Sequence, residues 1–534
     1  MICAERCLPA LLAAALVLSL ASCGADTGEN PSGYGEVRSL VLSQEQAALD
    51  GQALKEGEEG AVTVSRDIVY YREGQGDDYG EGSAGEEHSA EEADAHLVVT
   101  IREAGTYRVS GKLTQGQLAV DLGAEAEEDA SAVVTVVLDG VDVTCTVAPA
   151  FMVYSVYECG STDEETASPT VDTSKAGINV ILADGSENHF TGSHVARIYQ
   201  EGTTDKLHKY DGAFYSKMSM NISGEAEGTG VLSIAADNEG LGSELHLTIN
   251  GGVIDIRSQD DGINTNEDGV SVTTINGGTL RISAGMGSEG DGIDSNGHLV
   301  INGGSVYAAA NGRSGDGGID ADGDILLNGG CVAALGTRND AVSGDSRQEY
   351  MEISFAAALP AGSRVVLTDP EGDERFSFTS ERDFQSLTLS SPDLAQGVDY
   401  TLTVDGVTQT YTDNQSGGIV GGAPGGMAGG PGGDRMDWME IPEGLESWLN
   451  GAEDVPDEIC VWLEGLLERQ HSQPVLPGAM APQEGQEAPQ DGDSWRGDGQ
   501  AAAEASTRFT LSDGTHSFFG VTGSSQLAFT VPER

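Results

Sequence analysis

Three columns of oxygen-bearing side chains recur through the middle of this chain. Asp261-Gly262-Ile263-Asn264-Thr265-Asn266, Asp291-Gly292-Ile293-Asp294-Ser295-Asn296 and Gly317-Gly318-Ile319-Asp320-Ala321-Asp322 share one pattern. Aligned on the glycine before the isoleucine, Glu239, Asp261 and Asp291 form one column, which Gly317 ends. Asn264, Asp294 and Asp320 form a second, and Asn266, Asn296 and Asp322 a third. Residues two apart on a strand share a face, so the last two columns point the same way. Carboxylates stacked ~4.8 Å apart would repel by roughly 3 to 4 kcal/mol at an effective dielectric of about 20, so a cation, a proton or a hydrogen-bond donor must intervene. Calcium suits such a set, because it takes oxygen ligands from carboxylates, amides and backbone. No His or Cys accompanies the columns, which argues against zinc or copper. The expected first site combines Asp260, Asp261 and Asn264 with Glu239; a second uses Asp291 and Asp294, and a third Asp316, Asp320 and Asp322. The competing reading is plain turn chemistry, since Asp and Asn beside Gly are ordinary corner formers.

A repeat must position these columns. Ile249-Asn250-Gly251-Gly252 returns as Ile275-Asn276-Gly277-Gly278, Ile301-Asn302-Gly303-Gly304 and Leu327-Asn328-Gly329-Gly330, at a constant offset of 26. A short strand-like run follows each pair of glycines, as in Val253-Ile254-Asp255-Ile256 and Thr279-Leu280-Arg281-Ile282. The interval to the next isoleucine landmark varies while the total stays fixed, as stacked turns of a coil require. Helical repeats, nine-residue calcium rolls and leucine-rich repeats lack their signatures here, so an all-β solenoid of the parallel β-helix type is expected. Weaker units reach upstream, placing the coil over residues 95–345, a small β cap over 346–413, and terminal strands at 505–534 returning to that cap.

Composition agrees. Glycine numbers 75 of 534, about twice the usual ~7%, and aromatics only 5%, so a Phe- and Leu-rich helical core is excluded. With 87 acidic against 26 basic residues the net charge is −61, which makes nucleic acid and anionic lipid poor partners.

The remaining segments read as delivery and linkage. Residues 1–22 have the pattern of a secretory signal peptide, and Leu20-Ala21-Ser22-Cys23 matches a lipobox, predicting lipidation at Cys23 and display on the outer face of a bacterial membrane. The alternative is a plain signal with a chance cysteine. Residues 23–94 are expected to form a tether and an acidic low-complexity region, with nine acidic residues and no Lys or Arg between positions 73 and 101. Cys145 and Cys159 either pair across neighbouring strands or remain thiols. Residues 414–504 form a Gly/Pro-rich, acidic insertion with Trp-containing segments that predict short amphipathic helices.

The motifs Leu97-Val98-Val99-Thr100, Ile181-Leu182-Ala183-Asp184-Gly185-Ser186-Glu187-Asn188, Asp211-Gly212-Ala213-Phe214-Tyr215-Ser216-Lys217, the Asp-Gly-Ile units and Ser390-Ser391-Pro392-Asp393-Leu394 resemble a clostridial family of carbohydrate-binding β-helix proteins that look like polysaccharide lyases. The resemblance implies a right-handed coil, bound calcium and binding of cellulose or acidic plant polysaccharide without established lyase activity. Asp260-Asp261-Gly262-Ile263-Asn264 also resembles the Asp-Asp-x-x-Asp calcium loop of one lyase family, with Asn in the last place.

Three functions follow as alternatives. A monomeric, surface-anchored, calcium-binding polysaccharide-binding protein is the leading expectation. A calcium-dependent pectate lyase would need a cationic base, for which Lys217 and Arg257 are the candidates, each otherwise a solubilising charge. A spacer or adhesin without glycan affinity is the third. The order of motifs excludes a polygalacturonase. If sugars stack on aromatics, Tyr199, Tyr210, Phe214 and Tyr215 are the candidates, the other reading being that these rings fill the interior.

Overall fold

The computed structural model describes residues 36–71, 80–81, 85–199, 206–395, 397–408, 411–413, 509–510 and 517–520. Among these, regular structure is almost entirely β. The α-helical exception, Ala90–Asp94, falls inside the acidic stretch expected to be irregular, because Ser89 and Glu92 close a reciprocal capping box at its start.

Three ladders of parallel strands carry the repeat. The first runs through Ile178–Leu182, Met220–Gly224, His246–Ile249, Val272–Ile275, His298–Ile301 and Ile325–Leu327, each paired in parallel with the next. The second runs through Glu187–Gly192, Val231–Ala236, Val253–Arg257, Thr279–Ser283, Ser305–Ala309 and Cys331–Gly336. The long strand Val134–Thr144 joins both, pairing with the first ladder through one half and with the second through the other, and is itself preceded in parallel by Gly105–Leu113. The third ladder, a separate sheet, runs through Leu97–Ile101, Gly116–Asp121, Phe151–Ser155, Gly212–Ser216, Glu239–Ser243, Ile263–Thr265, Ile293–Ser295 and Asp320–Ala321. Each 26-residue unit thus gives one strand to every ladder.

In-register stacking turns one residue of the repeat into a column. Ile249, Ile275, Ile301 and Leu327 are all fully buried, as are Ile263, Ile293 and Ile319. Such columns hold one continuous core that extends from Leu40 to Tyr350. The Asn-Gly-Gly corner explains the glycine excess. Gly252, Gly278, Gly304 and Gly330 adopt φ between 85° and 91°, a left-handed conformation costly for any residue with a Cβ. A Cβ on Gly278 would also stand 2.7 Å from the Gly252 carbonyl oxygen of the preceding corner.

Strands also precede the expected coil. Val37–Ser43 pairs in parallel with Gly105–Leu113, and Val62–Ser65 antiparallel with Leu97–Ile101, so part of the segment grouped with the tether belongs to the sheets. Past the repeat, Tyr350–Leu359 and Phe384–Ser390 continue the second ladder antiparallel, over a core that includes Leu335, Met351, Phe355 and Phe384. Phe509–Thr510 pairs with Asp399–Tyr400, and Ser517–Gly520 lies beside Tyr350–Leu359 and Tyr411–Asp413. Cys145 and Cys159 are free thiols, so the Cys145–Cys159 pairing is not made. Burial pushes the Cys145 thiol up to about 12, leaving it inert at neutral pH.

If the aliphatic column supports the stack, Ile275→Ala should cost about 2 to 5 kcal/mol in denaturant-induced unfolding. Met286→Ala, at an exposed loop position, should stay within about 0.5 kcal/mol.

Candidate functional site

The third ladder brings the acidic columns together. Asn264 is paired with Asp294 and Asp294 with Asp320, in the register anticipated from the repeat. Asp261 and Asp291 precede these strands, and the Asp291 backbone N–H donates to Asp261 Oδ1 at 2.7 Å. One unit on, the Gly317 N–H donates to Asp291 Oδ1 at 2.6 Å. Asn264 Nδ2 donates to Glu239 Oε1 at 2.9 Å and to Asp261 Oδ2 at 3.3 Å, so its amide lies between two carboxylates. Asp316 accepts the Gly290 N–H at 2.6 Å and the Ser314 hydroxyl. The Asp322 side chain belongs to the exposed rim, while Glu239 and Asn264 are buried.

Electrostatics within the stack are adverse. Desolvation, then the charges of Glu239, Asp291, Asp294 and Asp260, hold the Asp261 carboxyl well above the usual range. Burial and the carboxylates of Asp294, Asp316 and Asp340 push Asp291 up to about 7 against the opposing pull of the Gly317 N–H. Burial and a hydrogen bond with Asp340, reinforced by Asp291 and Asp294, push Asp320 up to about 8. Asp322 is raised more modestly by desolvation, Asp268 and Asp340.

Asp340 is a member of this stack that the repeat does not reveal. Its N–H donates to the Ile319 carbonyl, which sets it beside Asp320 past the last strand of the ladder, yet it follows Asp320 by 20 residues rather than 26. Arg338, at 3.6 Å, compensates it in part.

A divalent ion fits these residues in donor type and charge. The donors are oxygens, and several carboxylates crowd one another inside low-dielectric surroundings. Asn264 Oδ1 is also buried without a hydrogen-bond partner among the described residues. Preformed convergence is absent: among the described residues no three His, Cys, Asp or Glu side chains gather as a ready metal centre. Hydrogen bonds from backbone N–H groups occupy one oxygen of Asp291 and one of Asp316, leaving the other oxygen of each to serve a ligand, whereas both oxygens of Asp261 accept hydrogen bonds, from the Asp291 N–H and the Asn264 amide.

The aromatic candidates are placed differently from the stacking expectation. Phe214 and Tyr215 are completely buried and Tyr210 is 6% exposed. Phe214 stacks on Phe151 at 4.1 Å between ring centres, and Tyr215 donates its hydroxyl to Glu244 at 2.5 Å while accepting from Asn266 Nδ2. Their rings are interior packing, with no face to offer a sugar, because both sides of Gly212–Ser216 are covered. Tyr199 is described only as the end of a strand, its side chain lying outside the described residues. Arg257 sits on the second ladder, 3.9 Å from both Asp255 and Glu381. Lys217 follows Gly212–Ser216, and its N–H donates to the Val153 carbonyl. Cys23 and the 414–504 insertion lie outside the described residues.

A family model described as carbohydrate-binding domain-containing protein matches residues 95–373, which is more than half the chain and includes the whole acidic stack. The chain belongs to the carbohydrate-binding domain-containing protein family. A carbohydrate-binding domain-containing protein of Acetivibrio thermocellus is 28% identical over 161 residues, 30% of this chain and 45% of that one, so the chain spans less than half of this relative. A solved structure described as the polysaccharide lyase-like protein from C. thermocellum, gadolinium derivative, shares 22% identity and covers 55% of this chain and 93% of its own, with a TM-score of 0.32. The resemblance drawn from the sequence motifs therefore holds at the level of the family.

The stack has a definite pH signature. For Asp291 and Asp320 the folded-state values lie above the ordinary 3.8, so the folded protein binds more protons than the unfolded chain across the interval from about 4 to about 8. Stability of the metal-free protein should then fall as pH rises through that interval. Thermal melts in chelator should show the midpoint dropping by a few degrees from pH 5 to 8.5, and Asp291→Asn, which keeps the acceptor for the Gly317 N–H, should flatten that slope.

Proposed function

We propose that the three ladders form a right-handed parallel β-helix serving as a non-catalytic, calcium-dependent polysaccharide-binding protein of the cell surface, tethered through Cys23. The observation that carries this reading is the acidic stack within the matched region: Glu239, Asp294 and Asp320 lie on the third ladder with Asp261 and Asp291 just before its strands, and the mutual repulsion acting on Asp261, Asp291 and Asp320 favours a bound cation. Residues that would hold calcium are Glu239, Asp260, Asp261 and Asn264, then Asp291 and Asp294, then Asp316 and Asp320 with Asp340. The ion would supply positive charge on a protein of net charge −61, which otherwise repels an acidic glycan. Uronate carboxylates of a pectin-like chain are the ligand groups this charge would attract. The interior placement of Phe214 and Tyr215 removes the aromatic route at those positions and leaves the metal route as the better supported one.

Purified protein incubated with polygalacturonate should be pulled down in 1 to 2 mM calcium and released by chelator, with no rise in absorbance from unsaturated product (concentrations on the order of ordinary extracellular calcium). Product formation that disappears in Lys217→Ala would replace the binding reading with lyase activity. Binding that persists undiminished in chelator would separate the glycan from the acidic stack.

A further inference from the structure

A concave surface lies on the outward side of the first ladder, with a volume of about 540 Å³. Its floor is the column Thr248, Thr274, Val300 and Leu326, in register across four parallel strands. One wall is the segment 169–174, which Thr173 pins to the sheet. The Thr173 hydroxyl donates to Thr248 Oγ1 at 2.7 Å, and its carbonyl accepts from Asn221 Nδ2 at 2.8 Å. Along the floor runs an exposed rail of amides from the Asn-Gly-Gly corners. Asn276 Nδ2 donates to Asn250 Oδ1 at 2.9 Å, Asn302 to Asn276 at 2.9 Å, and Asn328 to Asn302 at 3.0 Å.

The chemistry of the rail selects its ligand. A primary amide has two N–H donors and an oxygen with two lone pairs, and the ladder consumes one of each at an interior position. Each unit therefore presents one spare donor and one spare acceptor, repeated at ~4.8 Å over roughly 14 Å. Vicinal hydroxyls, which both donate and accept, match that alternation; a ligand that only donates or only accepts does not. Asn221 Oδ1, in a lining residue only 7% exposed, is buried with no hydrogen-bond partner among the described residues, which leaves one more acceptor for a hydroxyl or an ordered water. Charged groups in the lining are few: Asp172, Asp345 and Arg347. Such a lining offers no carboxylate cluster for a metal, and the chain's large negative charge disfavours a bare polyanion.

We propose that this groove is a calcium-independent site for a neutral, linear polysaccharide, its hydroxyls ordered by the Asn250–Asn276–Asn302–Asn328 rail, on a different ladder from the acidic stack. The proposal rests on the carbohydrate-binding reading but not on calcium. Cellohexaose, xylohexaose and mannohexaose titrated calorimetrically into the full chain in chelator provide the test, beside polygalacturonate in calcium. At least one neutral hexasaccharide should bind, and Thr274→Trp, which fills the half-buried floor without touching the amides, should weaken it at least tenfold while leaving polygalacturonate binding unchanged. Leu326→Trp blocks the same groove two strands further on and stands in if the first variant fails to fold. Neutral binding undiminished in the blocked variant, or no neutral binding beside intact polygalacturonate binding, overturns the groove alone. Loss of every glycan in the unaltered chain overturns the carbohydrate-binding reading with it.

Discussion

Parallel, in-register stacking is the constraint on which this protein depends, because it places each residue of the repeat against its own counterpart ~4.8 Å away. Every column must therefore be compatible with itself. Aliphatic columns meet the condition by burial, as Ile249, Ile275, Ile301 and Leu327 do without exposed surface. Amide columns meet it by hydrogen bonding, since Asn is both donor and acceptor and the corner asparagines bond head to tail. Hydroxyl columns behave likewise, with Thr265 and Ser295 at 2.9 Å. Carboxylate columns cannot meet it alone, and their positions are where the stack calls for something from outside.

This ranking separates scaffold from site without reference to any ligand. The backbone N–H groups that reach Asp261 and Asp291, and the Asn264 amide between Glu239 and Asp261, reduce the repulsion without removing it. What remains appears as carboxyls held protonated near neutral pH, a state that a divalent ion would compete to displace. The amide rail is the opposite case. It is internally satisfied, carries no net charge and still has hydrogen-bonding capacity facing the groove.

Much of this was legible in the sequence wherever the repeat was strict. The Asn-Gly-Gly corners, the columns Asn264–Asp294–Asp320 and the β-rich segments after the repeat follow from the 26-residue offset and the alternation of apolar residues. What escaped lay outside that period. Val37–Ser43 and Val62–Ser65 join the sheets from a region whose polar, acidic neighbourhood reads as tether. Asp340 enters the acidic column after a shortened 20-residue turn. Phe214 and Tyr215 sit on a strand buried on both faces, where alternation cannot tell an inward ring from an outward one.

The central claim is that the acidic stack binds calcium, and a calorimetric calcium titration of chelator-treated protein tests it most directly. Saturable binding below about 1 mM is expected, weakened at least tenfold by Asp294→Asn, since that residue is paired in register with both neighbours in its column. No heat of binding up to several millimolar calcium, on the order of the weakest extracellular calcium modules, would contradict it, as would an Asp294→Asn protein that binds as tightly as the unaltered chain.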